Sequence, residues 1–125
     1  MVTIRHDQMQ AFSEAAARSF EDRMVVHLEK FFPQQCKALG EQRTRDVIRL
    51  GIERAARHDI DVEYDVCRYI DLMFVFGERY DEDPAWPWAS RILGDKGASQ
   101  RARVDRLWDR ARAAIWRLAC TQPRS

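Results

Sequence analysis

Apolar residues return at every third or fourth position over most of the chain, the period of a helix that seats one face on a core. From about Asp7 to Phe32 they are Met9, Phe12, Ala16, Phe20, Met24, Leu28 and Phe31, with Glu14, Arg18, Glu21, Asp22 and Glu29 on the other face. Pro33 ends this helix, because the residue before a proline is pushed out of the helical region. "PQQCKAL" predicts a short helical turn begun by Pro33 and closed by Gly40. A second helix is expected from about Glu41 to Arg57, with Val47, Ile48, Gly51, Ile52 and Ala55 inward. Gly51 costs stability relative to alanine inside a helix, so its presence points to a close helix crossing.

"HDID" reads as a connection, with Asp61 as the N-cap of a third helix that runs through Phe76. Val62, Val66, Tyr69, Ile70, Met73 and Phe74 give its inner face, Glu63 and Asp65 favour the positive end of its dipole, and Gly77 stands where a left-handed C-cap is expected. The run "LMFVF" by itself suits a buried strand equally well. The pattern reaching back to Val62, and the lack of a second strand to pair with, favour the helix. "ERYDEDPAWPW" is a loop of turn formers, with Asp83 as a cap and Pro84 at the first position of a short helix ending at Leu93. After "GDKGAS", a last helix from about Ser99 to Cys120 carries Val104, Trp108, Ala111, Ile115 and Leu118, widened by Leu107 and Ala114, before a frayed tail over about 121–125. The expected fold is all-α: one domain over residues 1–125, a compact bundle of four main helices with one or two short ones.

A chain of 125 residues, 46% hydrophobic and 33% charged, has the size and composition of a soluble globular domain. No segment approaches a membrane span, and "MVTIRHDQMQAF" lacks the apolar core of a signal peptide, so no membrane association and cytoplasmic residence are expected. Charge is uneven. Asp59 to Asp83 holds nine acids against two arginines, and Asp95 to Ser125 eight bases against three acids, so the two regions can attract each other within the fold or between chains.

Few residues suggest chemistry. Cys36, Cys67 and Cys120 are odd in number and widely spaced, which favours buried thiols over a disulfide framework or a zinc site. His6, His27 and His58 lie in no two-ligand spacing and read as surface or capping residues. Cys67 paired in space with His27 or His58 would make a nucleophile, but it sits on the helix that carries the core stripe, which favours an inert thiol. Asp81 and Asp83 are paired carboxylates without the further oxygen ligands of a calcium loop, so no metal is expected there. Arg103, Arg106, Arg110, Arg112 and Arg117 are interrupted by Asp105 and Asp109 and read as a solvated helix face; no nucleic-acid partner is expected. Glycine-rich phosphate loops, nucleophile elbows and dinucleotide fingerprints are missing, so neither an enzyme nor a cofactor is expected. Trp86 and Trp88 flank Pro87, either as exposed anchors for a partner or folded back over the bundle. Tyr80, Asp81, Glu82, Asp83, Trp86 and Trp88 therefore form the candidate partner-binding surface. A second copy of the chain is an alternative occupant of any open helix face.

Three stretches together, "SFEDRMVVHLEKFFPQQCKALGE" (19–41), "IRLGIERAARHDID" (48–61) and "DVCRYIDLMFVFGERYDEDPAWPWASRIL" (65–93), carry a family resemblance. The combination resembles short helical bacterial proteins encoded beside type VI secretion effectors and their spike-tip components, and it covers roughly residues 5 to 110. The resemblance brings no catalytic motif. It implies an accessory role: a cytoplasmic adaptor or co-chaperone that holds an effector, or the effector's own chaperone, before loading on the spike. An immunity protein that blocks a cytoplasm-acting toxin is the alternative.

Overall fold

The computed structural model describes residues 10–121 of the chain, and the side-chain surroundings of 14–117. Within them the chain is all-α, with α1 (Gln10–Phe31), α2 (Pro33–Leu39), α3 (Glu41–Arg57), α4 (Glu63–Phe76), α5 (Pro87–Leu93) and α6 (Gln100–Thr121), and no strand. The expected helix start near Asp7, with His6 and Met9, and the tail beyond Thr121 lie outside the described residues, as do the side chains of Phe12, Leu118 and Cys120. Backbone contacts divide the chain into two compact units that part between Glu78 and Arg79.

In the first unit α1 packs on α2, α3 and α4, and α3 packs on α4. Its core is built from Phe20, Met24, Val25 and Leu28 of α1, Val47, Ile48, Ile52 and Ala55 of α3, and Val66, Tyr69, Ile70 and Met73 of α4, all buried. Each large aliphatic or aromatic side chain so placed contributes about 1.5–3 kcal/mol. The inner face of α1 starts at Phe20 among the described residues: Ala16 is half-buried and Phe31, the last member of its expected stripe, is 60% exposed. Gly51 marks the predicted close crossing, since a Cβ there would lie 2.5 Å from Ile70 Cγ1. "LMFVF" is helical, and α4 is buried at every position from Tyr69 to Phe74.

Helix ends in this unit follow local chemistry, with one shift from expectation. α3 closes in a double hydrogen-bonded cap: Ile60 N–H donates to Ala55 O at 2.9 Å and Asp59 N–H to Ala56 O at 3.0 Å, with Asp59 at φ 59°. Asp is one of the few side chains that tolerate this left-handed position, and the buried Ile60 follows it into the core. The N-cap of α4 is Val62, in extended conformation, rather than Asp61, and no side chain caps it. Glu63 and Asp65 still occupy its first turn, and Gly77 ends it with a positive φ of 116°.

In the second unit α5 packs on α6, through buried Trp88, Ala89 and Leu93 on one side and Val104, Leu107 and Ala111 on the other. Its short helix begins at Pro87 rather than Pro84. Asp83 is spent on a turn instead, its Oδ1 accepting from Ala85 N–H at 2.9 Å, and the fixed φ of Pro87 then starts the helix. Ser99 caps α6 by accepting from Ala102 N–H at 3.1 Å. Arg103 is not part of a solvated face: it is buried and donates to Leu93 O at 3.1 Å, placing positive charge at the carbonyl end of α5.

Candidate functional site

Among the described residues, histidine, cysteine and carboxylate side chains gather in one cluster, between α1 and α4 in the first unit. Cys67 and Asp71 stand four residues apart on α4 and so share one face, which α1 meets with His27. His27 Nε2 is 2.8 Å from Asp71 Oδ1 and 3.7 Å from Cys67 Sγ. One donor atom from each residue lies within 4.8 Å of the others. His27 is therefore neither a surface nor a capping histidine; it ties α1 to α4. His58 does hold the C-cap position of α3.

A cleft of about 370 Å³ opens over this cluster, lined by Phe20, Arg23, Met24, His27, Glu63, Tyr64 and Cys67. Its rim carries a two-pronged ion pair, with the Arg23 guanidinium donating to both Glu63 oxygens at 2.9 and 3.0 Å. The bidentate pair links α1 to the start of α4. The Phe31 ring lies against the His27 ring, tilted by 49°, with centroids 4.9 Å apart.

The three residue types are those of a cysteine nucleophile with its base and orienting acid, but the arrangement is not. In a working triad the thiol bonds one ring nitrogen and the acid the other. Here Cys67 and Asp71 both face Nε2. An ionised Asp71 accepts the Nε2 hydrogen, which leaves that nitrogen no lone pair for the thiol proton. Burial, then the Asp71 charge, pushes the Cys67 thiol up to about 12, with Arg68 offsetting part of the effect. A thiol so raised is protonated at neutral pH and a poor nucleophile. Burial also raises the Asp71 carboxyl above its ordinary value, against the pull of His27 and Arg68.

A second polar cluster joins α1 to α3. Glu21 is buried and accepts from Arg45 Nη1 at 2.6 Å and from Arg49 Nε at 2.6 Å. Burial would raise the Glu21 carboxyl, but the hydrogen bonds from Arg49 and Arg45 outweigh it and hold the group below its ordinary value. Arg45 also reaches Asp22 at 2.8 Å, so one arginine spans two carboxylates of α1.

The predicted docking loop is divided by the fold. Tyr80, Asp81 and Trp88 are buried, Glu82 is exposed, and Asp83 and Trp86 are half-buried. Trp86 and Trp88 stay together, with ring centroids 6.3 Å apart, and the Arg110 guanidinium lies 5.8 Å from the Trp88 ring centre. The acidic run is thinned in the same way, because Asp65 and Asp71 are buried as well as Asp81. Cys36 and Cys67 are free thiols, the first buried. Large apolar side chains that stay in water stand elsewhere: Val26, Phe31, Tyr64 and Val75 in the first unit, Ile115 and Trp116 in the second. No helix among the described residues is long and apolar enough to cross a membrane. Comparison with protein-family models, with curated proteins and with solved structures returned no match.

Proposed function

We propose that the chain is a non-catalytic protein-interaction module, a cytoplasmic adaptor or co-chaperone for a type VI secretion effector or for that effector's chaperone. The resemblance of the three stretches supplies the setting. The observation that carries the interaction is Trp116, 72% exposed beside Ile115 at 46%, on a part of α6 where, among the described residues, Ala111 is the last buried side chain. An indole held in water on a helix is the side chain that gains most when a partner covers it. The loop residues Glu82, Asp83 and Trp86 keep enough accessible surface to add contacts. The immunity alternative leans on the acidic run, three of whose nine acids, Asp65, Asp71 and Asp81, are buried and face no toxin.

The test is co-expression of the tagged chain with an effector encoded beside it. The effector should co-purify and accumulate, and Trp116→Ala with Ile115→Ala should weaken the complex by about tenfold or more without loss of helicity. Protection of cells from the effector's toxicity, with no gain in its level or secretion, would favour the immunity reading. Recovery of the tagged chain with only its own copies would mean that a second protomer covers Trp116, and the adaptor reading fails.

A further inference from the structure

The cluster between α1 and α4 has a use that its poor fit to nucleophilic catalysis does not touch. We propose that His27 Nε2, Cys67 Sγ and one Asp71 oxygen form a three-ligand site for a divalent transition metal, zinc by ligand type, with the fourth position open to the cleft. This inference is independent of the adaptor reading.

Three observations carry it. First, the donor set is right: imidazole, thiolate and carboxylate are the zinc ligands, and three protein ligands with a fourth position left to water is the pattern of open zinc sites. Second, the donors converge on one point. Zinc distances of about 2.0–2.3 Å in a tetrahedron place ligand atoms roughly 3.3–3.6 Å from one another. The observed sulfur–nitrogen distance is 3.7 Å, and the whole set fits within 4.8 Å, so the sulfur–oxygen pair has to close by up to about 1.2 Å through the side-chain torsions of Cys67 and Asp71. The nitrogen–oxygen pair, at 2.8 Å, has to open by about half an ångström, a small rotation of the Asp71 carboxyl. The same convergence on Nε2 that spoils a triad is what a metal requires. Third, the ion has an entrance, since His27 and Cys67 line the cleft while Asp71 is buried.

Charge and protons balance. A dication with one thiolate and one carboxylate has no net charge, which removes the main cost of placing an ion in a half-buried site. With a neutral imidazole, binding moves the ring hydrogen to Nδ1, leaves Nε2 to the metal and releases one proton, from Cys67. Asp71 exchanges a hydrogen bond for a metal bond. The sequence interval from Cys67 to Asp71 holds both ligands on one helix face, so α1 has to supply only His27.

The experiment uses the whole chain, stripped with a chelator and titrated with zinc in competition with a chromophoric chelator, then with cobalt(II). One zinc per chain is expected, together with a thiolate-to-cobalt charge-transfer band and the strong visible bands of four-coordinate cobalt. Cys67→Ser, His27→Gln and Asp71→Asn should each weaken zinc binding by about 100-fold or more, since loss of even an outer partner costs 10–100-fold. Cys36→Ser should leave it unchanged. Zinc should raise the melting temperature of the wild type and not that of Cys67→Ser, a near-isosteric change that keeps the test valid if Asp71→Asn fails to fold. Wild-type affinity in both Cys67→Ser and His27→Gln, cobalt bound without the charge-transfer band, or no binding in excess zinc would each overturn the proposal.

Discussion

Gly51→Ala is the sharpest probe of the packing between α3 and α4. The added methyl would lie 2.5 Å from Ile70 Cγ1 and 3.0 Å from both Ile70 Cδ1 and Met73 Sδ. The methionine sulfur can move aside, being the far part of a flexible chain. Ile70 Cγ1 cannot, because it is one bond from a Cβ fixed to the α4 backbone and Ile70 is fully buried. Alanine gains about 1 kcal/mol over glycine in a helix interior. Overpacking a tight core costs about 1–3 kcal/mol, and a contact this short falls in the upper part of that range. The net expectation is destabilisation by about 1–2 kcal/mol, read as a lower urea midpoint with an unchanged slope. Ile70→Ala alone should cost about 2–5 kcal/mol through the cavity it leaves. In the double variant the new methyl enters that cavity, so the total should fall short of the sum by about 1 kcal/mol or more. Two results would refute the reasoning: stabilisation by Gly51→Ala of the size of the helix-propensity gain, or strict additivity of the two substitutions.

Two further outcomes follow from the polar cluster and the divided loop. The Glu21 carboxyl is depressed below its ordinary value of 4.5, so its stabilisation is complete above that pH and is lost as pH falls through the depressed folded value. Glu21→Gln should cost about 1–2 kcal/mol at neutral pH, discounted because Arg49 is 58% exposed, and the gap to wild type in urea midpoints should close as pH falls below 4.5 through the depressed folded value; a gap that stays constant with pH would exclude the carboxylate as its source. Trp88→Ala should cost the second unit about 3–5 kcal/mol, enough to unfold it by near-ultraviolet circular dichroism, whereas Trp86→Ala should cost about 1 kcal/mol or less. Equal effects would mean that the two rings are not divided between core and surface as described.

The helices were legible because a period of three to four apolar positions survives any arrangement of neighbours. The glycine inside the second helix was legible for a related reason: only a close crossing compensates for its loss of helix propensity. Capping was less secure. "DIDVEYD" offers several acceptors within one turn, and which residue takes the extended conformation depends on how Ile60 enters the core. "DEDPAWPW" holds two prolines, each a fit helix start, and the choice fell to Pro87 once Asp83 had closed its own turn on Ala85. Burial within that loop was legible only for the tryptophans, whose folding back is one of the two readings the sequence offers. Turn formers and acids describe a surface loop, yet Tyr80 and Asp81 are buried within it, and Trp88 is turned inward with Ala89 and Leu93.

The site between α1 and α4 shows where such reading stops. Cys67 and Asp71 are four residues apart in a helical pattern, so their shared face could be read directly. In sequence the carboxylate is one of nine acids between Asp59 and Asp83, and nothing in the run sets it apart from its neighbours. Its partner is 44 residues away, and the pattern of α1 alone does not say that His27, beside the buried Leu28, turns toward α4. That outcome depends on which part of the α1 stripe is seated, and the structure seats Phe20, Met24 and Leu28 while leaving Phe31 in water. A ring placed one residue before a buried leucine borders the seated face, near enough to reach across to α4 and open enough to line a cleft. The two geometries a sequence cannot distinguish, a nucleophile with its base and a set of converging ligands, then differ by a single fact. Both partners of His27 meet the same nitrogen, which blocks proton transfer from the thiol and gathers the donors where one ion can take all three.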